Sequence, residues 1–207
     1  MRRALVALCL VAGCGGAPPR VSLEPVSQAP PASSYVDELK KWTRHGHIIA
    51  DFDETLAVDA TLHSPEFRAA YAEKFIAVYK MNEEDAAKQR AKLAAEVADV
   101  WELHAEIATH TYEVNEFNTA TNKSPWRVTL IDEKNRAVST TDIKLDRGRR
   151  EVISALYPYL TTFSRGWKLR FPRNLPDGTP LVTAETRELT MRIAGPQGSV
   201  DLTWTLK

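Results

Sequence analysis

The stretch that decides the fold is His47-Ile48-Ile49-Ala50-Asp51-Phe52-Asp53-Glu54-Thr55-Leu56-Ala57-Val58-Asp59-Ala60-Thr61-Leu62. Phe52, Leu56, Val58, Ala60 and Leu62 alternate with Asp51, Asp53, Thr55, Asp59 and Thr61, with Glu54 out of phase. A period of two puts alternate side chains on opposite faces of a pleated strand. The expectation is therefore one strand with an apolar side packed and an acidic side in water. His45, His47, Asp51 and Asp53 would share its polar face, but Ile49 interrupts them and solvation accounts for that face without a metal ion.

Helical spacing surrounds this stretch. Tyr35 to Trp42 reads as a short helix with Ser34 as its cap and Gly46 beyond its end. Downstream, Ser64-Pro65 supplies a cap followed by proline at the first helical position, and Phe67, Tyr71, Phe75, Val78 and Tyr79 recur at helical intervals. Asn82 caps a second helix whose Glu83, Glu84 and Asp85 favour the positive end of the dipole. Leu93, Val97, Trp101 and Ile107 are read as its buried stripe, which makes His104 a core or boundary residue. The pair predicts a helical hairpin.

Beyond residue 110 the period is two again: Val128 and Leu130, then Trp167, Leu169 and Phe171, then Leu189, Met191 and Ile193, then Val200, Leu202, Trp204 and Leu206. Glu133 to Arg136, Pro172 to Pro180 and Gly195-Pro196-Gln197-Gly198 carry turn chemistry. The expected fold class is α+β: a strand and helical hairpin over residues 35–110, followed by an antiparallel β-sandwich of immunoglobulin or fibronectin type over 111–207.

The N-terminus carries a different signal. Met1-Arg2-Arg3 precedes an uncharged run from Ala4 to Ala12, the pattern of an export leader. The run is shorter than the roughly 20 apolar residues of a spanning helix. Leu10-Val11-Ala12-Gly13-Cys14 resembles the lipobox of bacterial lipoproteins. The resemblance implies cleavage after residue 13, acylation of Cys14, and attachment to the inner or outer membrane of a cell envelope. From Gly15 to Ser34, five prolines and no apolar periodicity predict that residues 14–34 form a disordered tether.

Composition fits export. Cys9 and Cys14 are the two cysteines, and loss of the leader leaves no pair for a disulfide. Removal of Arg2 and Arg3 with it leaves 25 basic against 27 acidic side chains, a formal charge of −2. That balance offers no footprint for nucleic acid.

Asp51-x-Asp53-x-Thr55 resembles the first motif of haloacid dehalogenase-type phosphatases. Carried over, it would make Asp51 the nucleophile and Asp53 the proton donor of a Mg²⁺-dependent acid phosphatase. The apolar run before Asp51 is only Ile48-Ile49-Ala50, and the late acidic pair and alternating βα units of that family have no counterpart. A second resemblance rests on Trp42-Thr43-Arg44, on Ala60-Thr61-Leu62-His63-Ser64-Pro65-Glu66-Phe67-Arg68, on Tyr157-Pro158-Tyr159, and on the late Gly-x-x-Gly turn with Trp204. These look like a group of uncharacterised envelope lipoproteins of myxobacteria, which implies a shared shape over residues 35–207 and no catalytic residue. The favoured expectation is a non-enzymatic lipoprotein without a cofactor, presenting a binding or structural module to an envelope protein or glycan.

Overall fold

In the computed structural model, residues 18–95, 99–111, 114–117 and 124–207 are described. Helix α1 (Tyr35–Trp42) leads into β1 (Thr43–Ala50) and β2 (Asp53–Leu62), followed by α2 (Pro65–Tyr79), α3 (Glu83–Ala95) and β3 (Val100–Thr109). The rest is β4 (Arg127–Asp132), β5 (Ala137–Ser139), β6 (Asp142–Leu145), α4 (Arg150–Leu156), β7 (Ser164–Pro172), β8 (Glu188–Gly195) and β9 (Gly198–Thr205). The fold is mixed α+β with two antiparallel sheets, one ordered β1-β2-β3-β7-β6 and the other β5-β4-β8-β9.

The stretch 47–62 is two strands rather than the single ribbon expected. It folds back at Asp51-Phe52, and Ala50 pairs with Asp53. Both turn residues have positive φ, 51° and 70°, the sense of backbone that two-residue hairpins need to match strand twist. Glycine and asparagine usually fill such turns; here a fully exposed phenylalanine does. The alternation fails at the tip because the turn, not burial, sets side-chain direction there. From Leu56 to Leu62 it holds, with Leu56, Val58, Ala60 and Leu62 buried.

The helix starts are where the caps place them. Ser64 Oγ accepts from the Phe67 amide at 3.0 Å, and Asn82 Oδ1 accepts from the Asp85 amide at 2.9 Å. Phe67, Tyr71, Phe75 and Tyr79 form a ladder of ring contacts along α2. Arg90 joins α3 to α2 through both carboxylate oxygens of Glu73, at 2.7 and 3.1 Å.

The second helix, however, stops at Ala95, and Trp101 and Ile107 belong to β3; Val97 lies outside the described residues. Trp101, Leu103, Ala105 and Ile107 alternate with Glu102, His104 and Glu106 at period two, and pairing with β2 and β7 makes the run a strand. That pairing also crosses the expected boundary at residue 110. Strands from both sides of it make one sheet, so separate 35–110 and 111–207 units do not describe the molecule. Side chains of both sheets share one core, with Trp42, Leu103, Trp167, Leu169, Leu189, Met191 and Trp204 among its members. Trp204 Nε1 donates to the Trp42 carbonyl across 2.8 Å, tying β9 to the end of α1.

The proline-rich segment departs from the disordered tether expected over 14–34. Val21 is fully buried. It makes a parallel bridge with Leu206, its amide donating to the Thr205 carbonyl at 2.9 Å and its carbonyl accepting from the Lys207 amide at 3.0 Å. Leu23 packs against the core, and Ala32–Ser34 form a 3-10 turn ahead of α1. One β-branched residue with a hydrophobic slot and two backbone bonds overrides the proline content. Among the described residues, no helix is long and apolar enough to cross a membrane.

Candidate functional site

One face of β3 carries Trp101, Leu103, Ala105 and Ile107 into the core; the opposite face carries Glu102, His104 and Glu106, which are buried as well. Register aligns these three with polar partners on the neighbouring strands. Glu106 pairs across to Asp59 and Gly166, and His104 to Thr61 and Lys168. Glu102 pairs with Arg170 and, through its carbonyl, receives the His63 amide at 3.0 Å. Tyr157 and Tyr159, just beyond α4, cover this polar face; Tyr159 hydrogen-bonds Thr61.

The side chains form a connected network. Glu102 meets His63 Nδ1 at 3.2 Å, Arg68 Nη2 at 3.6 Å and Arg170 Nε at 2.8 Å. His63 Nε2 lies 2.8 Å from the Tyr157 hydroxyl. These partners assign the tautomer: Nδ1–H donates to the carboxylate and Nε2 accepts from the phenol. Burial pushes His63 down to about 4, although Glu102 acts in the opposite sense. Burial alone would raise Glu102, but His63, Arg170 and Arg68 outweigh it and hold the carboxyl below the usual range. Tyr157 is fully enclosed and its hydroxyl titrates well above the ordinary phenol, again because burial disfavours the anion.

Tyr157 stacks on His104 with ring centroids 3.7 Å apart and planes 3° from parallel. His104 Nε2 lies 2.8 Å from Glu106 Oε1, and Nδ1 faces Asp146 at 3.8 Å without a hydrogen bond. Ser164 Oγ donates to Glu106 at 3.3 Å. Gly166 makes room for this cluster: a Cβ there would fall 2.8 Å from Glu106 Oε1 and 3.2 Å from His104 Cε1.

Two cavities adjoin the network and share His63, Arg68 and Leu93 in their walls. The smaller, about 60 Å³, is bounded also by Tyr71, Glu102, Tyr157 and Lys168. The larger, about 450 Å³, lies between α2, α3 and the docked N-terminal segment, where Val26, Pro65, Ala69 and Ala72 give apolar walls. Arg68, Arg90 and Arg173 line it against one carboxylate, Glu73. Arg173 lies over the Trp101 ring at 4.2 Å, and burial lowers its pKa from the usual guanidinium value.

Asp51 and Asp53 stand elsewhere, exposed at the tip of the β1–β2 hairpin between antiparallel strands. His45 bonds Asp59 across the same hairpin, while His47 pairs with Ala57. Among the described residues, no group of three or more His, Cys, Asp or Glu side chains is arranged to hold a metal ion. Cys14 lies outside the described residues. Reasoning from sequence missed His63, Glu102, Tyr157 and Arg170. The signal that could have found them is Glu102-x-His104-x-Glu106, a polar alternation inside an apolar one, which only a strand can bury on both sides.

No family model matches the chain, and no curated protein does. Among solved structures, it is similar to a protein of unknown function from Burkholderia pseudomallei, with 13% identity over 83% of this chain and 81% of that one, at a TM-score of 0.39.

Proposed function

We propose that this chain is a non-enzymatic envelope lipoprotein: a binding module displayed at the inner or outer membrane through an acylated Cys14. The lipobox-like Leu10 to Cys14 supports the anchor. The observation that carries the reading is the seat of Val21 against the end of β9. It leaves six residues between Cys14 and Val21, a reach of roughly 23 Å from one to the other when extended. A leash of that length holds the module close to the lipid surface instead of letting it range across the envelope. The two antiparallel sheets sharing a core support a sandwich of immunoglobulin or fibronectin kind as its frame.

Mass spectrometry of the mature N-terminus tests the proposal. An acylated Cys14 and release of the protein from membranes by Cys14→Ser are the expected results. A mature product starting elsewhere, or one still membrane-bound after Cys14→Ser, would refute it.

A further inference from the structure

The 450 Å³ cleft falls within the range of small-molecule sites, roughly 300–1,000 Å³. Its floor follows one face of α2, where Pro65, Arg68, Ala69, Ala72 and Glu73 recur at helical spacing. That face runs for about 12 Å of helix rise. Leu93 of α3 and Val26 of the N-terminal segment add apolar wall. A space drawn out along a helix and lined by alanines suits an extended hydrocarbon chain.

The cations around the cleft are engaged within the chain. Arg68 Nη2 meets Glu102 at 3.6 Å, and Arg90 holds Glu73 at 2.7 Å and Glu83 at 3.0 Å. Arg173 lies over the Trp101 ring and is attracted by Asp99. A carboxylate ligand would have to draw an arginine from such a partner, so the cleft favours an uncharged guest. Where it shares His63, Arg68 and Leu93 with the 60 Å³ cavity, the wall turns polar. Glu102 there is already met by His63, Arg68 and Arg170, and Lys168 holds Asp146 at 3.3 Å. The Tyr157 hydroxyl gives its proton to His63 Nε2, and its oxygen can still accept.

We propose that the cleft binds a long-chain alcohol, its hydrocarbon lying on Ala69, Ala72 and Leu93 and its hydroxyl donating to the Tyr157 oxygen. The assignment rests on the binding role proposed above and gives it a ligand class. Apolar burial supplies affinity, and the single hydrogen bond supplies selection for a donor. Pro25, Val26 and Ala29 make the docked N-terminal segment one wall of the site, so the segment that leads to Cys14 also encloses the ligand.

The test uses the full chain carrying Cys14→Ser, which removes acylation and keeps the rest of the sequence. N-phenyl-1-naphthylamine is titrated by fluorescence and displaced with dodecanol, with dodecyl methyl ether, which cannot donate, or with dodecanoate. Saturable probe binding is expected, with dodecanol displacing it at concentrations at least tenfold lower than the ether or the acid. Tyr157→Phe, which keeps the ring on His104, should weaken dodecanol about tenfold and leave the ether unchanged. Ala72→Trp should abolish binding; Leu93→Trp gives the same readout should Ala72→Trp not fold. Equal displacement by alcohol and ether, stronger displacement by the acid, unaltered binding in a folded tryptophan variant, undiminished dodecanol binding in a folded Tyr157→Phe, or absence of saturable binding would each overturn the assignment. Acylation of Cys14 in the wild-type chain is scored separately: binding without acylation removes the lipoprotein reading alone, and acylation without binding removes the ligand alone.

Discussion

The two faces of β3 are both buried, yet by opposite chemistry. On one side Trp101, Leu103, Ala105 and Ile107 join the shared core. On the other, two carboxylates and an imidazole are enclosed under Tyr157 and α2. The apolar face gains from removing surface from water and tolerates changes of shape within limits. The polar face gains nothing from desolvation; each charge there must be answered by a placed partner, and losing one partner strands the others. A strand buried this way is specified twice, once by volume and once by pairing.

The sharpest way to break the comparison is at adjacent residues. Glu102→Ala leaves Arg170 and Arg68 without their common carboxylate, and stability in urea unfolding should drop by about 4 kcal/mol. Glu102→Met, which removes the charge but keeps volume, does not restore it, because the cations remain. Its neighbour Leu103 is fully buried in the apolar face, and Leu103→Ala should cost about 3 kcal/mol by cavity formation. A loss under 1 kcal/mol for Glu102→Ala would mean that the carboxylate is solvated and the contrast false.

Acid separates the faces further. The imidazole of His63 protonates near pH 6.5 in the unfolded chain and near pH 4 in the fold. Below pH 6.5 the unfolded state therefore takes up a proton that the native state refuses. The His63 contribution to stability falls as pH drops from 6.5 to 4, by roughly 3 kcal/mol in all, and is complete below that. Glu102, held below the usual carboxylate range in the fold, adds its own loss only once the unfolded carboxyl begins to protonate below about pH 5, so the slope between pH 6.5 and about 5 belongs to His63. His63→Phe should flatten it, whereas Leu103→Ala should shift the whole profile down and leave its slope intact; a slope that survives His63→Phe assigns the titration elsewhere. The smallest effect is at Gly166, where a methyl group meets Glu106 at 2.8 Å. Gly166→Ala should cost about 2 kcal/mol, since crowding displaces Glu106 from His104, and the double variant with Glu106→Ala should recover part of it.

The elements legible in sequence are those whose signals are local. Ser64-Pro65 and Asn82 start helices where the hydrogen bonds place them, and the late alternating runs become β7, β8 and β9. What stayed hidden depends on partners distant in the chain. Val100–Thr109 reads as the end of a helix when the stripe Leu93, Val97, Trp101 and Ile107 is extended across it, and the acidic alternation at 51–62 conceals a turn whose left-handed residues are not the usual glycine or asparagine. His63, Glu102 and Tyr157 come from three separate segments, so no spacing rule joins them. Val21 shows the same limit in reverse: a proline-rich neighbourhood predicts disorder, and one valine finds a slot beside the last strand.

That slot has a mechanical meaning under the proposed anchoring at Cys14. Were the proposed Cys14 anchor in place, tension on it would load the two backbone bonds of the Val21 bridge at the end of β9 before it reached α1. Peeling this contact would release residues 21–34, about 45 Å of extended chain, while the two sheets stay intact. Under that anchor the bridge would act as a slack reserve, two backbone bonds that part before the core does.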